Sequence, residues 1–290
     1  MISYLEPGTS NDIERLKKGE IFMSEENIIQ VEKKDHVAWL ALNRPDKLNA
    51  MSMDFFTQFR DTVRDLDADK EVRALVIKAA GKCFTSGLDL ADAGSLLELS
   101  GASGREELRK KILEMQECFS VLERCSKPVI AAAHGHCIGA GVDLLSACDI
   151  RVASQDAVFS IKETKLAIIA DLGTLQRLPQ IIGYGHFNEL ALTGREFSAS
   201  EALQMGFVTH LEKDQEELED KASELAREIA SNSPVTVQGV KDVILYSRDR
   251  GIYPGLEYVA QKNSALLKSA DLTEAITAFM ENRKPEFKGE

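Results

Sequence analysis

The stretch Cys137 to Arg177, CIGAGVDLLSACDIRVASQDAVFSIKETKLAIIADLGTLQR, gathers small-residue turns and, among five carboxylates, the separated acids Asp143, Glu163 and Asp171 into 41 residues. Gly139, Ala140 and Gly141 follow an apolar run, Pro128 to Ala133, that reads as a buried strand. They precede Val142 to Ala147, which reads as the start of a helix. Strand, small-residue turn, helix is the geometry of an anion cradle. The first turn of a helix leaves backbone N–H groups without partners, and glycine or alanine lets a ligand oxygen approach them. Donors so placed can hold an oxyanion. Gly139 and Gly141 can equally serve close packing of strand on helix.

Asp143 sits just inside this helix, Glu163 falls in a second strand-like run that begins at Val158, and Asp171 comes eight residues later. Eight residues span about 12 Å as helix and about 26 Å as strand, so Glu163 and Asp171 share a site only if the segment between them folds back. Gly173 and Thr174 mark a turn there, with Thr174 as N-cap of a helix from Leu175 to Ile182. Read singly, each acid also has an ordinary explanation. Asp143 can be a helix-dipole partner, Asp171 a turn residue, and Glu163 a solvated pair with Lys162.

Around this stretch the chain of 290 residues, 44% hydrophobic and 28% charged, is an ordinary globular sequence with material for a sizeable core. A net charge of −12 argues against a nucleic-acid groove or an anionic membrane surface as the main partner. The five cysteines, Cys83, Cys118, Cys125, Cys137 and Cys148, form no C-x-x-C pair, and their odd number does not suggest a disulfide framework. Residues 1–27 carry Asp12, Glu14, Lys17, Lys18 and Glu20 and no long apolar core, which reads as an N-terminal extension and not as a secretory signal or membrane anchor. The ending Phe287-Lys288-Gly289-Glu290 is not the peroxisomal tripeptide Ser-Lys-Leu. Cytoplasmic residence is the expectation, with an organellar matrix left open.

Apolar runs Ile28 to Val31 and Val37 to Leu42 read as a hairpin, Ser52 as the cap of a helix to about Leu66, and Val72 to Ala79 as the next buried strand. Leu108, Ile112, Met115, Phe119 and Leu122 stand at helical spacing in a charged segment. Beyond Val208 the pattern turns helical: Glu216 to Ala230, Pro234 to Tyr246, Gly255 to Lys268 and Leu272 to Asn282. The fold class is therefore α/β, with strand–helix units through 28–212 and a helical region over 213–290.

Five ordered segments resemble the signatures of one family, the enoyl-CoA hydratase/isomerase (crotonase) superfamily. They are LNRPDKLNAMS (Leu42 to Ser52), FTSGLDL (Phe84 to Leu90), KPVIAAAHGHCIGAGVDLLSACDIRVAS (Lys127 to Ser154), GTLQRLPQIIG (Gly173 to Gly183) and LTGREFSASEALQMGFV (Leu192 to Val208). Within it, the acid pattern Asp143, Glu163, Asp171 is most similar to the Δ3,5-Δ2,4-dienoyl-CoA isomerase branch, whereas typical hydratases carry glutamate at the first position and glycine at the third. The resemblance implies a spiral of repeated ββα units, a helical tail used for oligomerisation, and assembly as trimers that pair into hexamers. It implies an acyl-CoA thioester as substrate, with coenzyme A part of that substrate, and no cofactor or metal.

The chemistry so implied moves both double bonds of a 3,5-dienoyl thioester into 2,4-conjugation, removing a proton at carbon 2 and adding one at carbon 6, in fatty acid β-oxidation. By resemblance the oxyanion donors are the N–H groups of Leu88 and Ala140, the latter where glycine is commonest. Two such donors are worth about 3–4 kcal/mol each. By analogy Glu163 serves carbon 2 and Asp171 carbon 6, an order that can be reversed, and Asp143 positions or polarises the substrate. Burial against Leu166, Ile168 and Ile169 is expected to raise the acids' pKa values. Ser86, Gly87, Leu88, Asp89, Leu90, Gly139 and Gly141 line the acyl site, and Lys47, with Lys82 and Arg44, stands as a partner for the coenzyme phosphates. His134 and His136 lack a third metal ligand at a recognisable spacing and read as packing residues. Other readings are a hydratase using Asp143 and Glu163, and a non-enzymatic binding member of the fold.

Overall fold

Strand runs with apolar residues at nearly every position can only sit in a sheet covered on both faces, and short extended pieces after them can only join a second layer. The computed structural model, which describes residues 28–290, has this form. The expected extension over 1–27 lies outside the described residues. The elements are β1 Ile29–Lys34, β2 Val37–Leu42, α1 Met53–Ala68, β3 Ala74–Ala79, α2 Gly94–Leu97, α3 Gly101–Arg124, β4 Val129–Ala133, β5 His136–Ile138, α4 Ala140–Ala147, β6 Ile150–Ser154 and β7 Val158–Ser160. They continue with α5 Thr174–Thr193, β8 Glu196–Ser198, α6 Ala199–Gln204, β9 His210–Glu212, α7 Gln215–Ser231, α8 Pro234–Arg250, α9 Ile252–Leu266 and α10 Ala270–Glu281.

The large sheet runs β1-β2-β3-β4-β6-β9 and is parallel except for the β1–β2 hairpin. That hairpin turns on Asp35 and His36, both left-handed at φ 52° and 63°, which matches the twist of a tight two-residue turn. The second layer holds β5-β7-β8 and two parallel bridges, Met51 with Leu88 and Thr85 with Cys137. Each winding thus gives one strand to the large sheet, then a short extended piece to the second layer, then a helix or turn. This is the expected ββα spiral.

Alternation within the large sheet divides the core. Leu75, Ile77, Ala131 and Ala133 face Phe55, Phe59 and Phe119, whereas Ala74, Val76, Ile130, Ala132 and Val152 face α7. There Leu218, Ala222, Ala226 and Ala230 recur every four residues, a stripe small enough for the helix to lie close on the strands. The terminal helix α8 is tethered by Lys241, only 6% exposed, whose ammonium donates to Leu122 O at 2.9 Å and Lys127 O at 3.0 Å and pairs with Asp149 at 2.7 Å. Among the described residues no helix is long and apolar enough to cross a membrane.

Three local expectations change. The run from Val158 ends as strand at Ser160, because Lys162 takes a helical conformation and Glu163–Leu166 forms a 3-10 turn closed by left-handed Ala167. Gly173, at φ 127°, occupies the N-cap position, and Thr174 is the first helical residue. The helix also runs on to Thr193 across a break at Gly183, whose φ of 77° suits glycine.

Candidate active site

Two main-chain turns meet at the second layer. Met51 N–H donates to Gly87 O at 2.8 Å and Asp89 N–H to Met51 O at 3.0 Å, so the N–H of Leu88 between them points away from that pairing. Ala140 opens α4, where an N–H has no acceptor four residues back in the helix. The turns touch at Gly87: at φ +93°, a Cβ there would lie 2.8 Å from Ile138 O and 3.7 Å from Ala140 N. Only glycine lets the two donor-bearing segments approach this closely. Buried Asn49 supports the arrangement, donating to Ala80 O and Cys83 O, while its own carbonyl accepts from the Thr85 hydroxyl at 2.7 Å.

The three acids come from three elements. Asp143, 1% exposed, projects from α4 and accepts the Thr174 N–H at 2.6 Å, which ties the start of α5 to α4. Glu163 begins the 3-10 turn, and one of its oxygens lies 3.0 Å from where a Cβ of Gly139 would be. Its other oxygen is buried without a hydrogen-bond partner. Ile168 N–H donates to Glu163 O, the fold-back that returns the chain towards Asp171. Desolvation lifts Glu163 to about 7 and Asp143 to about 6, and raises Asp171; the charges of Asp143 and Asp171 add to the rise at Glu163.

The cause of that desolvation differs from expectation. Leu166, Ile168 and Ile169 are 48%, 43% and 78% exposed, so they do not bury the acids. The apolar neighbours in the chain that are buried are Ile161, Ala170 and Leu172, all in the core. A 3-10 turn has three residues per turn, so an apolar run read as strand is placed on faces it does not present.

Residues 32–290 match the sequence profile of the enoyl-CoA hydratase/isomerase family. The chain belongs to that family. A protein of Arabidopsis thaliana named peroxisomal Delta(3,5)-Delta(2,4)-dienoyl-CoA isomerase is 49% identical, over 90% of this chain and 95% of its own. A human protein named mitochondrial Delta(3,5)-Delta(2,4)-dienoyl-CoA isomerase is 47% identical, over 86% of this chain and 77% of its own. The crystal structure of enoyl-CoA hydratase from Bacillus anthracis superposes with a TM-score of 0.84 at 32% identity, covering 91% of this chain and all of that one.

Other residues singled out in this enoyl-CoA hydratase/isomerase chain fall into two groups. Ser86, Leu90, Lys47 and Lys82 are exposed at the rim of the Gly87 turn and its neighbouring loop. Asp89 and Arg44 instead pair with each other at 3.2 Å, and Arg44 also donates to Ala50 O, so both brace the loop. His134 meets Gly81 O at 3.0 Å, and His136 is exposed. Among the described residues, no three His, Cys, Asp or Glu side chains gather as metal ligands would. All five cysteines are buried thiols. Gln116 and Arg177 escaped the sequence reading: Gln116 donates to Asp171 O at 2.6 Å and Arg177 to Leu172 O at 3.2 Å. Their one trace is the polar set Gln116, Ser120 and Glu123, at helical spacing within an otherwise amphipathic α3.

Proposed function

We propose that the protein is an isomerase that converts 3,5-dienoyl-CoA to 2,4-dienoyl-CoA in fatty acid β-oxidation. The observation that carries this reading is the third acid, Asp171, returned by the 3-10 turn into the field of Glu163. Glu163 as carboxylate takes the proton from carbon 2. The electron pair spreads over the dienolate, and the thioester oxygen accepts the N–H groups of Leu88 and Ala140. Asp171 as carboxylic acid gives a proton to carbon 6, leaving the double bonds at 2 and 4. Burial raises both acids, and the charge of Asp171 raises Glu163 further, so the reaction uses the form of the pair that holds one proton. Glu163 ends protonated and Asp171 ionised, and one proton must pass between them before the next turnover.

Ser86, Gly87, Leu88, Leu90, Gly139 and Gly141 form the acyl site in this reading, with Asp89 bracing its loop through Arg44, and exposed Lys47 is the partner for the phosphates of coenzyme A. Coenzyme A is part of the substrate, and the chemistry as written draws on side chains and main chain alone. The hydratase alternative would use Asp143 with Glu163, but one oxygen of Asp143 is already committed to Thr174 N–H. Exposed Ile252, Tyr253, Leu256, Phe279 and Met280 on the terminal helices support assembly as a trimer or dimer of trimers. An aqueous compartment, cytoplasm or organellar matrix, suits such a chain.

The test offers purified protein 3,5-dienoyl-CoA and 2-enoyl-CoA separately and follows conjugated diene and hydration. Fast diene formation with little hydration is expected, and Asp171→Asn should abolish most turnover while leaving thioester binding nearly intact. Efficient hydration with no diene shift rejects the reading.

A further inference from the structure

The turn that carries Asp171 is held from outside at successive peptide groups. On one side the Asp143 carboxylate takes Thr174 N–H at 2.6 Å. On the other, Gln116 of α3 donates to Asp171 O at 2.6 Å, and the Arg177 guanidinium donates to Leu172 O at 3.2 Å. Arg177 is itself fixed, donating to the Ser120 hydroxyl at 2.9 Å and pairing with Glu123 at 2.8 Å. Glu123 also pairs with Arg248 of α8, and the two arginines hold its carboxyl below its ordinary range despite burial. Gly173 completes the fit, since a Cβ there would lie 1.7 Å from an Arg177 nitrogen. A structural turn on a helix start needs one cap; this one has three side-chain clamps drawn from three helices.

We propose that Gln116 and Arg177 are positioning residues for Asp171: by holding the carbonyls of Asp171 and Leu172 they fix the direction in which the Asp171 carboxyl is presented to the substrate. Neither touches reacting atoms. The inference rests on the reading of Asp171 as the acid at carbon 6. Other charged groups around the turn are Asp143 on α4, Glu163 on the 3-10 turn, Glu123 on α3, and Arg248 and Asp249 on α8. Through Glu123 and Arg248 the same clamp joins the turn to a terminal helix, so a disturbance of α8 reaches the acid without crossing the core.

The test replaces Gln116 by methionine, of similar length but without a donor, and by lysine, which restores one. With 3,5-dienoyl-CoA, Gln116→Met should lower kcat about tenfold or more while KM stays within twofold, because a displaced proton donor loses rate and not binding. Gln116→Lys should recover most of that loss. Unchanged kcat in Gln116→Met overturns the proposal. So does a joint fall of kcat, substrate affinity and melting temperature that lysine does not restore, which marks a merely structural role. Wild-type protein without diene turnover removes the isomerase reading and this inference together; normal wild-type turnover with an inert Gln116→Met removes this inference alone. Should Gln116→Met fail to fold, Arg177→Lys is read in the same way, since lysine keeps the charge opposite Glu123 but cannot span Glu123, Ser120 and Leu172 O at once.

Discussion

Replacing Asp143 by asparagine should make the protein more stable, and only where the wild-type carboxyl is charged. Asp143 is 1% exposed and its pKa is raised by desolvation from an ordinary 3.8 to about 6. The folded pKa lies above the unfolded one, so ionisation opposes folding. Stability linked to this group is fully present below about pH 4, falls as pH rises towards about 6, and is flat above that. A rise of about two units corresponds to roughly 3 kcal/mol at 1.36 kcal/mol per unit. Asparagine keeps a side-chain oxygen to accept Thr174 N–H and cannot ionise. Asp143→Asn should therefore exceed wild type by up to about 3 kcal/mol at pH 8, or roughly 5–10 °C in melting temperature. Melts of both proteins from pH 4 to pH 8 provide the assay, with the gap closing as pH falls. A gap independent of pH, or a variant less stable at pH 8, would refute the desolvation argument.

Other consequences are as direct. With dienoyl substrate, kcat/KM should follow a bell-shaped pH profile whose falling limb lies near the value of about 7 at Glu163, where the acid pair loses its last proton; a profile flat across this range contradicts a shared proton. Gly87→Ala should lower turnover at least tenfold and cost about 1–3 kcal/mol, since its Cβ meets Ile138 O at 2.8 Å from a left-handed backbone. Wild-type turnover with an unshifted urea midpoint would show that the two donor turns need no such contact. Lys241→Met should destabilise by roughly 1–3 kcal/mol by leaving the buried Leu122 and Lys127 carbonyls without their donor, solvent taking over at exposed Asp149; a midpoint equal to wild type in urea unfolding would count against the tether.

What the sequence revealed and concealed has a common physical cause. Runs such as Val129–Ala133 are apolar on both faces because helices cover both, and such runs are visible without coordinates. So are Ser52, whose oxygen does cap Phe55 N–H, and the small-residue turn before α4. The three-residue strands β5, β7 and β8 are too short to show a period, and β8 with α6 was missed although Ser198 and Glu201 form a capping box. The acids were legible as residue types, but the fold-back joining them depends on Ala167 adopting φ 56°, which no pattern announces. Gln116 and Arg177 act on carbonyls about fifty residues away in sequence or across a glycine, and such contacts leave no local signature.

The two amides proposed to hold the thioester oxygen belong to successive windings, Leu88 to one and Ala140 to the next, and the rung formed by Thr85 and Cys137 helps to bring them together. In the proposed reading neither winding alone holds the cradle, so activity would report completed stacking: a chain interrupted between these windings would keep its acids and lose the paired amides.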